Sequence, residues 1–248
     1  MKYLLVPELF LPEDVGFSLY GPEHLIWLGV LGVMCGAMVI SYRAMSPAAR
    51  TRFARITATG LLALEVLRDV YLVAAGAWKW SYLPLHPCSF TMFFMVAWAW
   101  KPRKVWGQLM YGYGLIGALA ALLFCNWTDQ PIWQFQTIYS FLFHGILVGW
   151  ILMLLLSGDI RPEGKGFFQC ILFLVVAAPI ATAFNYLLPD CNFFFTYSGS
   201  KGSPLEILIR IFGEPWWLAA YAILVMLVLG AEFLPWHLAE RKRKERVN

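Results

Sequence analysis

Charge is scarce in this sequence. Asp, Glu, Lys and Arg make up 14% of its 248 residues, against about 25% in soluble globular domains. A chain this long with so little charge cannot cover itself with an ordinary solvated surface. Hydrophobic types at 60% and a mean hydropathy of +0.64 point the same way. A cleavable leader is also missing. After Lys2, the residues Pro7, Glu8, Pro12, Glu13 and Asp14 break up any apolar run, so no signal peptide is expected. Internal repeats, low-complexity tracts and soluble inserts of domain size are absent, which leaves one membrane domain over residues 1–248. Tight metal-ligand spacing of the His-x-x-x-His kind is absent too. His86, Cys88, His144 and Asp69 therefore make a weak case for a metal, and no cofactor is expected.

Long apolar runs are what the sequence does have. Seven are long enough, or nearly so, to cross a hydrocarbon core of about 30 Å. They run over residues 25–42, 56–78, 85–100, 106–125, 135–156, 167–188 and 216–234. The expected fold is an all-α polytopic membrane protein with about seven transmembrane helices. The 12 Trp suit aromatic belts at two interfaces.

Basic residues orient the bundle. Arg43, Arg50, Arg52 and Arg55 fall in the first loop, Lys101, Arg103 and Lys104 in the third, and Arg161 and Lys165 in the fifth. The tail carries Arg241, Lys242, Arg243, Lys244 and Arg246, whereas the alternate loops are poor in Lys and Arg apart from Lys79, Lys201 and Arg210. By the positive-inside rule the N-terminus is outside and the C-terminus cytoplasmic. In the one long loop, Ser203, Pro204 and Glu206 read as N-cap, first helical residue and N3, with Gly213 as a stop. A short interfacial helix is expected over 204–212, acting as a strap or as a lid.

Ionisable groups inside spans are costly, so each is a functional candidate. Glu65, Arg68 and Asp69 share one face of the second span, either as a structural ion cluster or as the polar wall of a substrate cavity. In Leu83-Pro84-Leu85-His86-Pro87-Cys88-Ser89, Pro87 suits the first helical turn. Cys88 then sits where the helix dipole and free N–H groups favour a thiolate, with His86 beside it. The alternative is a small buried Cys with an interfacial His. His144, midway along the fifth span, is a candidate general base or acid, or else an interhelical hydrogen bonder. Asn185 could orient a histidine or donate to an oxyanion, or simply make an interhelical amide bond; Tyr186 and Asp190 lie beside it at the outer end. Chain direction puts His86, Cys88 and Asn185 toward the outer face, with His144, Arg68 and Asp69 nearer the middle. One outward-open cavity could therefore hold them all. The Asn126-Trp127-Thr128 sequon abuts a span end, and Gly112, Gly114 and Gly117 suit close helix approach.

The Leu83–Cys88 stretch, His144-Gly145, Asn185-Tyr186 and Ser203-Pro204-Leu205 leading into Pro215-Trp216 resemble the YwaF-type bacterial integral membrane proteins. These are similar in turn to a eukaryotic transmembrane family that moves fatty acyl groups between phospholipids through a cysteine and a histidine. The resemblance places that cysteine at Cys88 and that histidine at His144. It implies a cell-membrane acyltransferase or acyl hydrolase acting on phospholipid or lysolipid, with Cys88 as nucleophile, His144 or His86 carrying the proton, and Asn185 or first-turn N–H groups on the oxyanion. Arg68, Asp69, Glu65 and Tyr186 would contact substrate. The partners expected are membrane lipids, not nucleic acid. The rival reading is a transporter or small-ligand-binding bundle centred on Glu65, Arg68 and Asp69.

Overall fold

The computed structural model describes residues 2–199 and 203–245; Lys201 and Arg246 lie outside them, as does the side chain of Lys244. Among the described residues eight helices make up the fold: α1 (Pro22–Ala44), α2 (Pro47–Ala74), α3 (Pro87–Trp100), α4 (Lys104–Leu123), α5 (Phe135–Ser157), α6 (Gly166–Leu187), α7 (Pro204–Phe212) and α8 (Trp216–Glu245). No strand occurs among the described residues. Five helices, α1, α4, α5, α6 and α8, are long and apolar enough to cross a membrane. The chain is a multi-pass membrane protein. Its outward faces agree, since Val33, Ile40, Phe168, Leu172, Val175 and Leu227 are large, apolar and exposed.

Most expected boundaries hold to within a few residues, but α2 shifts at both ends. It starts at Pro47 because Ser46 caps it, accepting from the Ala49 N–H at 3.4 Å, and Pro47 fills the first helical position. Arg50, Arg52 and Arg55 therefore lie on the helix and not in a loop. It stops at Ala74 because Gly76 turns left-handed, with φ +66°, and the Ala77 N–H closes back onto Leu72 O at 2.9 Å. That is a Schellman ending, and it leaves Trp78 outside the helix. The last helix runs on through Pro235 to Glu245, well past the expected 234. α7 matches its expected bounds, with the Ser203 hydroxyl accepting from Leu205 N.

The two ends of the bundle are tied by different networks. At one end the N-terminal segment crosses the helix tops: Phe135 N–H donates to Leu4 O, the Tyr71 hydroxyl to Leu5 O and Gln134 to Val6 O. At the other end Arg50 meets Asp159, Lys104 meets Glu163 at 2.6 Å, and Gly164 N–H donates to Glu240. α2 reaches from Arg50 at the second end to Tyr71 at the first, so it traverses the bundle as the five apolar helices do. α3 is only 14 residues long, about 21 Å at 1.5 Å per residue.

α5 is the buried axis, with Phe141, Leu147, Trp150, Ile151, Met153 and Leu154 fully enclosed. Gly145 and Gly149 let α1 pack onto it. A Cβ at Gly149 would sit 2.7 Å from Met38 Sδ, and one at Gly145 would overlap Leu31. Glycines four apart are a standard means of close approach between membrane helices. Inside α4, Met110–Leu115 is a π segment that the sequence reading did not anticipate. There Cβ atoms at Gly112 and Gly114 would overlap Cys170 and Thr91, so these glycines seat α6 and α3 against the segment.

Candidate functional site

α3 begins without a side-chain cap. His86 occupies the N-cap position but its ring makes no capping bond, and Pro87 supplies no donor. The first-turn N–H groups of Cys88 and Ser89 are thus directed at whatever lies beyond the helix start. Cys88 is a free, half-buried thiol facing Gly117 of α4; a Cβ there would lie 3.8 Å from its sulfur, so the Sγ is not crowded. His86 stacks edge-on against Phe193 at 5.3 Å and tilts against Phe195 at 5.5 Å.

His144 is held from three sides. Its Nδ1 lies 2.7 Å from the Ser140 carbonyl, which can only accept, so Nδ1 carries the proton. The Trp127 indole stacks on its face at 5.4 Å, and Phe143 meets it edge-on at 5.3 Å. Its Nε2 makes no hydrogen bond among the described residues and is left as a basic lone pair. His86 is near enough to feel a charge on His144. Beside it, the Trp127 Nε1–H is buried and has no acceptor. In the sequence Trp127 figures only as part of a sequon; the signal it offers is a donor-only ring at a span end. His24, by contrast, is fully committed, accepting from Tyr20 N–H and donating to Leu122 O at 2.8 Å.

The remaining candidates fall into two other groups. Asn185 is a clamp. Its amide donates to Phe193 O and Thr196 Oγ1, and its oxygen accepts from Phe193 N–H at 2.7 Å. Both amide hydrogens are therefore engaged, and Asn185, near the end of α6, bonds to the loop that follows it, neither across helices nor to an open site. The clamped segment is strained, with Phe194 and Phe195 at φ +55° and +54°, where aromatic residues are rarely found. Asn185 thereby fixes the rings that pack on His86. Tyr186 lies on an exposed flank against Tyr197.

In the third group Arg68 donates to Glu65 at 2.9 Å, to Asp69 at 2.8 Å and to Tyr82 O at 3.1 Å. Its guanidinium is sandwiched between the Tyr139 and Tyr82 rings, at 4.8 Å and 5.5 Å. Tyr139 also donates to the second oxygen of Glu65. Tyr82 joins this group to an outer network in which its hydroxyl, Lys79 and Gln130 all donate to Glu8. Burial pulls the Lys79 ammonium down, but the hydrogen bond and charge of Glu8 outweigh it, and its pKa ends raised.

A model of the TMEM164 family matches residues 19–231. The chain belongs to the TMEM164 family. The TMEM164 match takes in α1 through about half of α8, and every residue of the three groups above except Glu8. No curated protein and no solved structure matches the chain.

Proposed function

We propose that this TMEM164-family chain transfers acyl groups between membrane lipids through a thioester on Cys88. The observation that carries the reading is the fixed tautomer of His144. Its Nδ1–H is tied to Ser140 O, which leaves Nε2 free as a base. The resemblance to the cysteine–histidine acyltransferases supports the same pair. In the first step the Cys88 S–H proton moves to His144 Nε2 while sulfur attacks an ester carbonyl. The tetrahedral oxyanion is met by the Cys88 and Ser89 N–H groups and by Trp127 Nε1–H. On collapse the ester C–O bond breaks, and the lysolipid alkoxide takes the proton from His144. A second hydroxyl, of a lysolipid or of water, then attacks the thioester with His144 again as base. His86 stands just ahead of the helix start that carries Cys88, Asn185 fixes the segment packed against His86, and Asp69 and Tyr186, which reach the surface, contact the headgroup.

Purified protein in vesicles of ester phospholipid is expected to carry an acyl adduct on Cys88, seen by intact-mass analysis and released by hydroxylamine. Unchanged lipid turnover in a folded Cys88→Ala protein would sink the covalent mechanism. A transport role for the Glu65, Arg68 and Asp69 group has less support, because Arg68 and Glu65 are engaged with each other and with two tyrosines.

For topology we propose seven crossings, with α2 and α3 added to the five apolar helices. The N-terminus would be outside and the C-terminus in the cytoplasm of a bacterial plasma membrane, as the basic loops direct. In a background with the native thiols blocked, Ser198→Cys and Lys242→Cys are expected to label from opposite sides of the membrane. Labelling of both from one side means that the span count is wrong.

A further inference from the structure

α8 buries an acid that the acyl-transfer reading does not use. Both carboxylate oxygens of Glu232 are enclosed and have no hydrogen-bond partner, and the amide oxygen of Gln169 on α6 is in the same state. The ion pairs at this end join Lys104 and Lys165 to Glu163 and Arg50 to Asp159; among the described residues none reaches Glu232. α6 and α8 run antiparallel in a register that sets Gly164 against His237, Gly166 against Phe233 and Gly230 against Phe167. That register places Gln169 level with the turn that carries Glu232.

The other donors near the acid, apart from the Gln169 amide itself, are committed elsewhere. From α4, the Tyr111 hydroxyl donates to the backbone oxygen of Glu232 itself, at 3.2 Å. Trp236 on α8 donates to Tyr111 at 2.9 Å. From α6, Cys170 donates to Gln108 O, and the Cys170 carbonyl is taken by Tyr113. Tyr111 and Cys170 are the titratable groups within reach of a charge on Glu232. Glu163, Lys165, His237 and Glu240 stand farther out, at the helix ends. Apart from the neutral amide nitrogen of Gln169 itself, the site offers three acceptor oxygens, no donor and no cation. A bare carboxylate there, unpaired in an apolar interior, is prohibitive.

The missing component is a proton or a cation. Hard cations take about six oxygen ligands or more, and only three are free here. Pro235 releases one further carbonyl, that of Ala231, but Ala231 is on the exposed side. One proton resolves the count, because an O–H on Glu232 finds its acceptor in Gln169 Oε1. We propose that Glu232 is a proton-binding site built into the bundle, a carboxylic acid in the packed state that donates to Gln169. Gly230 and Pro235 bracket the acid on α8, and the π segment lies opposite it. Helix irregularities of both kinds are where such bundles bend. Loss of the proton leaves a charge that the packed interface cannot hold, and it releases this part of α8 from α4 and α6.

The test is infrared spectroscopy of the full chain in lipid nanodiscs, combined with melting curves. At neutral pH the wild type is expected to show a carboxylic-acid carbonyl band that Glu232→Gln removes. The wild-type melting temperature falls as pH rises through the titration of this site, and Glu232→Gln removes that dependence while keeping the fold. Gln169→Leu is expected to keep the band but shift it, since the O–H loses its acceptor; this holds the proposal to account even if Glu232→Gln folds poorly. An acid band absent at neutral pH, or unchanged by both substitutions, overturns it. So does a melting temperature raised by sodium or potassium in the wild type but not in Glu232→Gln, which would make the site a cation site.

Discussion

Substituting His144 by Ala is expected to slow acylation of Cys88 by a lipid electrophile by about 10²–10⁴-fold, the usual contribution of a positioned general base. A thiol in an apolar bundle does not ionise readily, and the start of α3 supplies only about 0.3–1 kcal/mol toward a thiolate when exposed, or up to ~2 when partly buried. The remainder must come from an imidazole able to take the proton. His144 meets that requirement because Ser140 holds its Nδ1–H and Trp127 fixes its plane, leaving Nε2 unengaged. His86 has no such orienting bond and rests on Phe193 and Phe195. His86→Phe, which preserves those ring contacts, should therefore cost much less than His144→Ala. The measurement is the labelling rate of Cys88 by a chloroacetamide lipid probe across pH, with the buried Cys35 and Cys170 as internal controls. Equal losses from both histidine variants would remove His144 from its assigned role. Unchanged labelling in His144→Ala would remove general-base activation altogether.

The helices were legible from the sequence, because apolar length alone identifies them in a chain that must hide its backbone from lipid. The Ser46-Pro47 start of α2 and the Gly76 stop were also legible in principle, since both are local signals; the apolar run simply outweighed them. The π segment was not legible. Gly112 and Gly114 announce close packing, but whether the backbone slips by one residue depends on Cys170, Thr91 and Phe233 arriving from distant helices. At the site, Cys88 and His144 stood out as single residues, whereas the commitment of Asn185 to Phe193 is set by a loop whose path no periodicity encodes. Glu8 joining Tyr82 and Lys79 is likewise a contact across more than 70 positions. Glu232 is the instructive omission. It is an ionisable residue inside an apolar span, legible by the same rule that singled out Glu65.

Replacing Arg68 by Ala is expected to destabilise the bundle by about 3–5 kcal/mol, the range for removing one partner of a buried pair. Glu65 is 5% exposed, and its two oxygens are held by Arg68 and Tyr139. Without the guanidinium, the acid and the Tyr82 carbonyl lose their common donor, and two tyrosine rings lose the cation between them. Tyr139→Phe removes one donor only and should cost about 1–3 kcal/mol. The Arg68→Ala, Glu65→Ala double variant should cost less than the sum of the two single changes, because each single change leaves the other charge unpaired. A coupling of roughly 0.5–3 kcal/mol is the range for residues in one network. Unfolding in mixed micelles, followed by helical circular dichroism, measures the wild type and all four variants. The outcome also decides what the cluster is for. If Arg68→Ala keeps its stability within about 1 kcal/mol but loses lipid turnover, the group faces a ligand and its internal bonds are only its resting state. If stability and turnover fall together, while Asp69→Asn, altering the partner nearest the surface, changes neither, then the cluster is the bolt between α2, α5 and the Tyr82 turn. The chemistry then belongs to Cys88 and His144 without the cluster.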